Sequence, residues 1–410
     1  MFAGNRTRGR TGTEKHKLQR LLIIAFAPLR RDPRVLRQIE LFRDRYEVIT
    51  MGYGPAPDGV AKHVRLAEPG PSSLPQRLRK GVRMLLGRHK ANYGSFPGVH
   101  PARSWLRDHG DEFDAVLTND LSTVPVALET GKPVHADLHE YALGQHADRM
   151  WRLYQLPALE MCAAQLTQVN STTSVAPGIA ALYDDNWGTE TQIVVNCPRY
   201  RDAGSPPAPV CRPIRLVYMG VARANRSLNV PIEAVKRANA ANPGSLTLDM
   251  FLMPSEPGYV EALRLEAGDL SGTGIRINDP VPAEQMVNVL ADFDVAVVFF
   301  PPHTPNLKHV LPNKFFEAVQ ARIGVVIGPS PEMVPYVQEY GVGEIAPGWT
   351  VGDLTQTLGS LTPEKVDSWK VAADRAAREL SSEQQSIAWE DAVGALFQAR
   401  DGMRAEERND

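Results

Sequence analysis

Asn313, Lys314 and Glu317 stand in one short run, 311–321 (Leu-Pro-Asn-Lys-Phe-Phe-Glu-Ala-Val-Gln-Ala), whose residue types could handle a phosphate and a sugar. Pro312 suits the first turn of a helix, where its missing N–H costs nothing. Lys314 and Glu317 then share one face, while Phe315, Phe316 and Val319 can turn to a core. A cation in the first turn opposes the macrodipole unless an anion lies beside it. Free N–H groups at that end favour such an anion by about 0.3–1 kcal/mol, up to roughly 2 when partly buried. A carboxylate one turn deeper could accept two hydroxyl hydrogen bonds, as from a ribose, each worth about 1.5–3 kcal/mol. The same spacing also makes an ordinary surface ion pair worth a few tenths of a kcal/mol, and spacing alone leaves both readings open.

Apolar runs over 293–300 and 323–328 flank this helix, so strand, loop, helix and strand form a βαβ unit with parallel strands. The loop 301–311 then delivers the helix N-terminus to the carboxyl edge of a sheet, where open α/β sheets bind ligands. A second group of polar residues falls at two other strand ends. The run 114–120 (Asp-Ala-Val-Leu-Thr-Asn-Asp) ends in Asn119 and Asp120. The run 132–140 (Lys-Pro-Val-His-Ala-Asp-Leu-His-Glu) ends in Asp137, His139 and Glu140, with His135 in the strand body. Adjacent strands would thus bring carboxylates and an imidazole into one crevice, and plain strand-end capping is the competing account. A metal site from Asp137, His139 and Glu140 is the less favoured reading of the same residues.

The run 311–318, followed by Gly324-Val-Val-Ile and later Gly341-Val-Gly343, resembles the donor-site signature of GT-B glycosyltransferases, particularly the retaining glycosyltransferase family 4. The resemblance implies that Glu317 grips a nucleotide ribose and that Lys314 and Asn313 contact a diphosphate. It places Arg226 at a second basic diphosphate contact, with Arg223 near it, and Gly220 allows close backbone approach. Val281 lies in a loop like one that contacts the nucleobase through its backbone. Asn119, Asp120, Asp137, His139 and Glu140 match strand ends that line the acceptor side, and Asp120 and His139 are expected to position acceptor and sugar. Asp32 and Arg34, in the Arg-Asp-Pro-Arg-Val stretch 31–35, match a loop facing the cleft; a helix cap at Asp32 explains them equally. One departure stands out: many relatives carry glutamate where this chain has His309.

The implied activity is transfer of a sugar from a nucleotide-diphospho-sugar to a glycan or lipid-linked acceptor, with retention and with neither a cofactor nor a bound metal. A sugar-nucleotide 2-epimerase of the same fold and a non-catalytic partner or scaffold subunit are the alternatives.

The chain of 410 residues, 43% apolar and 22% charged, has room for two large cores. The fold class expected is α/β, two doubly wound parallel-sheet domains about a cleft. Residues 1–19 read as a basic lead-in, 20–200 as an acceptor domain and 201–213, rich in Pro and Gly, as the linker. Residues 214–382 read as the nucleotide-sugar domain, 383–400 as a helix crossing back to the first domain and 401–410 as a tail. No G-x-G-x-x-G fingerprint is present, which counts against a dinucleotide enzyme. A net charge of −2 exerts no general pull on nucleic acid. Three cysteines, Cys162, Cys197 and Cys211, lack metal-ligand spacing and suggest a reduced, cytoplasmic setting. Residues 74–90 hold six Lys or Arg and no acid, with leucines on one helical face, and read as a contact with an anionic membrane surface; a solvated helix face is the other account.

Overall fold

The chain is described here by a computed structural model covering residues 18–68, 92–145, 149–204, 207–268 and 270–406. The basic stretch 74–90 and the terminal segments 1–17 and 407–410 lie outside the described residues. No helix among the described residues is long and apolar enough to cross a membrane.

Two all-parallel sheets organise the molecule. The first contains β1 (Arg20–Pro28), β2 (Glu47–Tyr53), β3 (Lys62–Leu66), β4 (Ala115–Asn119), β5 (Val134–Leu138), β6 (Ser171–Ser174) and β7 (Thr191–Ile193), in the order β3-β2-β1-β4-β5-β6-β7. The second contains β8 (Ile214–Ala222), β9 (Leu246–Pro254), β10 (Ile275–Asn278), β11 (Val295–Val298), β12 (Gly324–Ile327) and β13 (Gly343–Ile345), in the order β10-β9-β8-β11-β12-β13. In each sheet the order reverses beside the first strand, between β1 and β4 and between β8 and β11. Those two places open crevices at the carboxyl edges.

Helices cover both faces, which is why β1 is a continuous apolar run instead of an alternating one. Leu21, Ile23 and Ala25 face helix α1 (Pro33–Phe42) and the terminal helix, while Leu22 and Ile24 join the opposite core. The helices that matter below are α1, α2 (Pro177–Trp187), α3 (Asn229–Ala241), α4 (Asn313–Gln320), α5 (Pro363–Ala376) and α6 (Ile387–Glu406). Trp389, Val393, Leu396 and Phe397 of α6 are buried against Val35, Ile39 and Phe42 of α1. The chain therefore ends packed on the domain with which it begins.

The linker is not a free tether. Val210 N–H donates to Asp367 Oδ1 at 2.8 Å and Lys370 Nζ to Ala208 O at 3.0 Å, both from α5. Arg322, held at φ 62° after α4, donates to Arg201 O at 2.6 Å and to Asp374 Oδ1 at 2.6 Å. One local expectation shifts. Pro312 stands one residue before α4 as its N-cap, not inside the first turn. The segment after β5 holds two short helices, Arg149–Tyr154 and Leu156–Ala163, because Pro157 cannot continue the ladder from the preceding turn. Before β6, Leu166–Gln168 is a helical turn, and pairing begins where Asn170 N–H reaches Val134 O at 2.8 Å.

Candidate active site

At the carboxyl edge of the first sheet, β4 hands the chain to Asp120 and β5 to His139. Asp120 adopts φ 68°, a left-handed conformation that costs a non-glycine residue on the order of 1–3 kcal/mol and that surrounding structure must hold. Its backbone N–H donates to Asp137 O at 2.9 Å, which anchors the turn. About half of the Asp120 side chain (47%) remains accessible from the cleft.

Asn119 and Asp137, expected to open on the cleft, lie fully buried one layer beneath it. The reason is Arg34. Its Nε and Nη2 grip both oxygens of Asp137 at 2.7 and 2.6 Å, and its Nη1 donates to Val194 O at 2.7 Å. Gln38, one turn further along α1, donates to Asp137 Oδ2 at 2.7 Å and exchanges hydrogen bonds with Asn119 at 3.0 and 2.9 Å. Thr173 from β6 donates to Asp137 Oδ1 at 2.7 Å, and Trp389 from α6 donates to Thr173 Oγ1 at 3.2 Å. The guanidinium of Arg34 also lies 4.4 Å over the Trp389 ring. Asp137 is thereby committed to arginine, amide and hydroxyl donors.

His139 stands on this network and faces the cleft. Its Nε2 lies 2.8 Å from Asn119 Oδ1 and 3.2 Å from Asp137 Oδ2, both acceptors, so Nε2 carries a proton. Its Nδ1 faces Asp120 Oδ1 at 3.9 Å. Desolvation, the largest single influence, opposes the imidazolium, but Asp120 and Asp137 together outweigh it and hold the ring's pKa up to about 9. Desolvation by the surrounding protein raises the Asp120 carboxyl even though about half of the side chain is accessible, with His139 acting against it. Burial also disfavours the Asp137 carboxylate, yet Arg34 and His139 hold it well below the usual range. His135, by contrast, bonds Ser171 and Thr173 hydroxyls at 2.8 and 2.9 Å inside the sheet, and burial pushes it down to about 4. It is a neutral core residue.

Asp32 caps α1, its Oδ1 accepting from Arg34 N–H at 3.0 Å and Val35 N–H at 3.2 Å, and it also lines the cleft. Glu140 is exposed beside it and accepts from Gln145.

The second domain brings α4 to the other wall. Its buried Phe315, Phe316, Ala318 and Val319 fix its roll, leaving Lys314 and Glu317 half-buried on the cleft side with Nζ and Oε2 3.0 Å apart. Asn313 Oδ1 accepts from Asn196 Nδ2 of the first domain. Beside Lys314 lies a small pocket of about 110 Å³ formed by Gly220, Val221, Phe251, Met253 and Val281. Arg226, in the loop before α3, lies 5.0 Å over the Phe300 ring. Arg223 points elsewhere, donating to Ser255 Oγ at 3.0 Å at the surface.

Between the walls is a cavity of about 210 Å³, lined by Asp32, Arg34, His139 and Glu140 from one domain and Asn306, Val310 and Leu311 from the other. Three cross-domain bonds close its sides. Asn306 Oδ1 accepts from Tyr141 N–H at 3.1 Å, Asn196 reaches Asn313, and Glu332 Oε2 accepts from Gly178 N–H at 3.3 Å. His309 holds Glu332 by its Nδ1 at 2.7 Å. A Cβ at Gly178 would overlap both side chains. Gly178→Ala should therefore part the domains or cost about 1–3 kcal/mol by overpacking. Small-angle scattering and urea unfolding read the two outcomes; unchanged values in both would show that the seam yields freely.

Gln38, Thr173, Trp389 and Glu332 were not anticipated from sequence. Gln38 had one available signal, its i,i+4 spacing from Arg34 on an otherwise apolar helix face.

Two parallel-sheet domains that face each other across a cleft with their carboxyl edges are the GT-B fold. Among solved structures the chain is similar to HepE of Anabaena, described in complex with UDP and glucose (TM-score 0.66, 10% identity, 92% of this chain and 100% of that one). It is also similar to an α,α-trehalose-phosphate synthase (UDP-forming) from Burkholderia vietnamiensis (0.64, 10%, 93% and 100%) and to sucrose-phosphate synthase from Thermosynechococcus elongatus (0.62, 14%, 93% and 100%). No protein-family model and no curated protein matches the sequence.

Proposed function

We propose that this chain is a glycosyltransferase that moves a sugar, with retention, from a nucleotide-diphospho-sugar bound by the second domain to a glycan or lipid-linked acceptor bound by the first. The observation that carries the reading is the cavity itself: Asp32, His139 and Glu140 on one wall face Val310 and Leu311, which lead into α4, on the other, with a small apolar pocket adjoining Lys314. The base would enter that pocket against Val281 and Gly220. The ribose hydroxyls would take the Glu317 carboxylate, freeing Lys314 from its present pair. Lys314, Arg226 and the N–H groups of Asn313 and Lys314 would then stabilise charge developing on the leaving diphosphate, usually the largest catalytic contribution. On the first domain, the doubly protonated His139 donates and Asp120 accepts, a combination suited to orienting sugar hydroxyls. That HepE of Anabaena, which has this fold, is described in complex with UDP and glucose supports a nucleotide-sugar donor.

A thermal-shift screen of UDP-, GDP- and dTDP-sugars tests the reading. One of them should raise the melting temperature saturably, and Glu317→Ala should weaken it at least about 100-fold, from two charge-assisted hydrogen bonds of about 1.5–3 kcal/mol each. If no nucleotide-sugar stabilises the wild type, the transferase reading fails. Binding unaltered by Glu317→Ala would place the donor somewhere else.

A further inference from the structure

We propose that the acceptor ring that enters the 210 Å³ cavity is an uncharged or amino-bearing sugar, not a phosphorylated one. The inference rests on the transferase reading and names the substrate class of its acceptor side.

A sugar phosphate is normally held by free helix N-termini and by guanidinium groups with donors to spare. Around this cavity the protein's own carboxylates already fill those positions. Asp32 sits on the N-terminus of α1, taking the N–H groups of Arg34 and Val35. Glu332 takes Gly178 N–H in the first turn of α2. Arg34 commits one N–H of each guanidinium nitrogen to Asp137 and Val194 O, and Trp389 covers a face of the group, so only the second N–H of each Nη is left over and the bidentate fork is already taken by a carboxylate. Arg37, one turn on, lines a separate hollow with Glu40 and Glu383.

His139 is the remaining cation on the described wall, and it stands between Asp120 and Asp137. Two positive groups, Arg34 and His139, thus meet Asp32 and Glu140 in the lining, with Asp120 beside His139 and Asp137 buried beneath both. A phosphate brought here would face surplus carboxylates in a partly desolvated space, where like-charge approach is costly. Hydroxyl or ammonium groups would instead find acceptors in the Asp32 and Glu140 carboxylates of the lining. The lining also includes Val175, Ile179, Val310 and Leu311, which offer apolar surface to the C–H face of a sugar ring. The volume holds a single ring, so the anionic linker of a lipid-linked acceptor would lie outside it.

The test is calorimetric titration of glucose, glucosamine and glucose 6-phosphate, with the galactose series alongside. The protein is first saturated with whichever of UDP, GDP or dTDP raises its melting temperature. The 6-phosphates should bind at least about tenfold more weakly than the neutral sugars, and the amino sugars at least as well as the neutral ones. Glu140→Gln should narrow the gap between neutral and phosphorylated sugar. Equal or tighter binding of a 6-phosphate overturns the inference, as does failure of all the sugars to bind the nucleotide-loaded protein; either result leaves the donor reading standing. If none of the nucleotides binds, the donor reading falls, and the same titrations into the protein alone still decide the charge preference.

Discussion

Arg34→Met should destabilise the first domain by about 3–5 kcal/mol and lower its melting temperature by roughly 10 °C. The side chain is almost wholly buried, so its charge is tolerated only because Asp137, Val194 O and the Trp389 ring surround it. Methionine fills similar space but leaves the Asp137 carboxylate, also fully buried, without its principal counter-charge. Breaking one partner of such a pair costs more than replacing both. The double variant Arg34→Met/Asp137→Leu should accordingly recover much of the loss. The pH dependence supplies a second signature. In the wild type the depressed Asp137 carboxyl contributes stability above its unfolded pKa of about 3.9, lost only as pH falls through the lower folded value. Without Arg34, burial dominates and raises that carboxyl. The variant is then penalised most at neutral pH, and the gap to wild type should shrink on acidification toward about pH 4. Urea unfolding at pH 7 and pH 4.5 measures both; a single variant as stable as the wild type at pH 7 would contradict the burial argument.

What the sequence made legible follows from the range of the interactions concerned. The apolar run of β1 and the 311–321 segment carry their structure locally, through periodicity and a proline at the helix start, so both could be placed from a few residues. Asp120 and His139 were found because strand ends at a carboxyl edge are where side chains can reach a ligand. The burial of Asp137 and Asn119 was not visible, because it depends on Arg34 arriving from a helix about 100 residues earlier. β6 was not legible because its buried positions are Thr172, Thr173 and Ser174, hydroxyls that a hydrophobic pattern passes over and that the Asp137 network requires. Glu332 and Trp389 act across a domain seam and from the last helix, where only the fold brings them near. Composition marked 201–213 as the linker, while Asp367, Lys370 and Arg322 supply ties that proline and glycine content does not report.

His139 should titrate near pH 9, well above the ordinary imidazole value of about 6.5. A histidine whose folded pKa is raised contributes stability that is fully present below its unfolded pKa and is lost as pH rises through the folded one. Wild-type stability should therefore fall between about pH 6.5 and 9, by an amount on the order of 3 kcal/mol. His139→Leu should remove that slope. The Cε1–H resonance of His139 gives the midpoint directly, and Asp120→Asn should move it down, because the attraction of Asp120 is the largest single favourable interaction that sustains the charge. A wild-type midpoint at or below 6.5 would show that desolvation prevails over the two carboxylates. The consequence for the proposed reaction has the same sign. Nε2–H is directed at Asn119 and Asp137, which leaves Nδ1–H, opposite Asp120, as the donor on the cleft side. That proton is present throughout neutral pH only because the buried network maintains the imidazolium. Turnover should then hold level to about pH 8 and decline through 9, whereas in Asp120→Asn the decline should begin at lower pH.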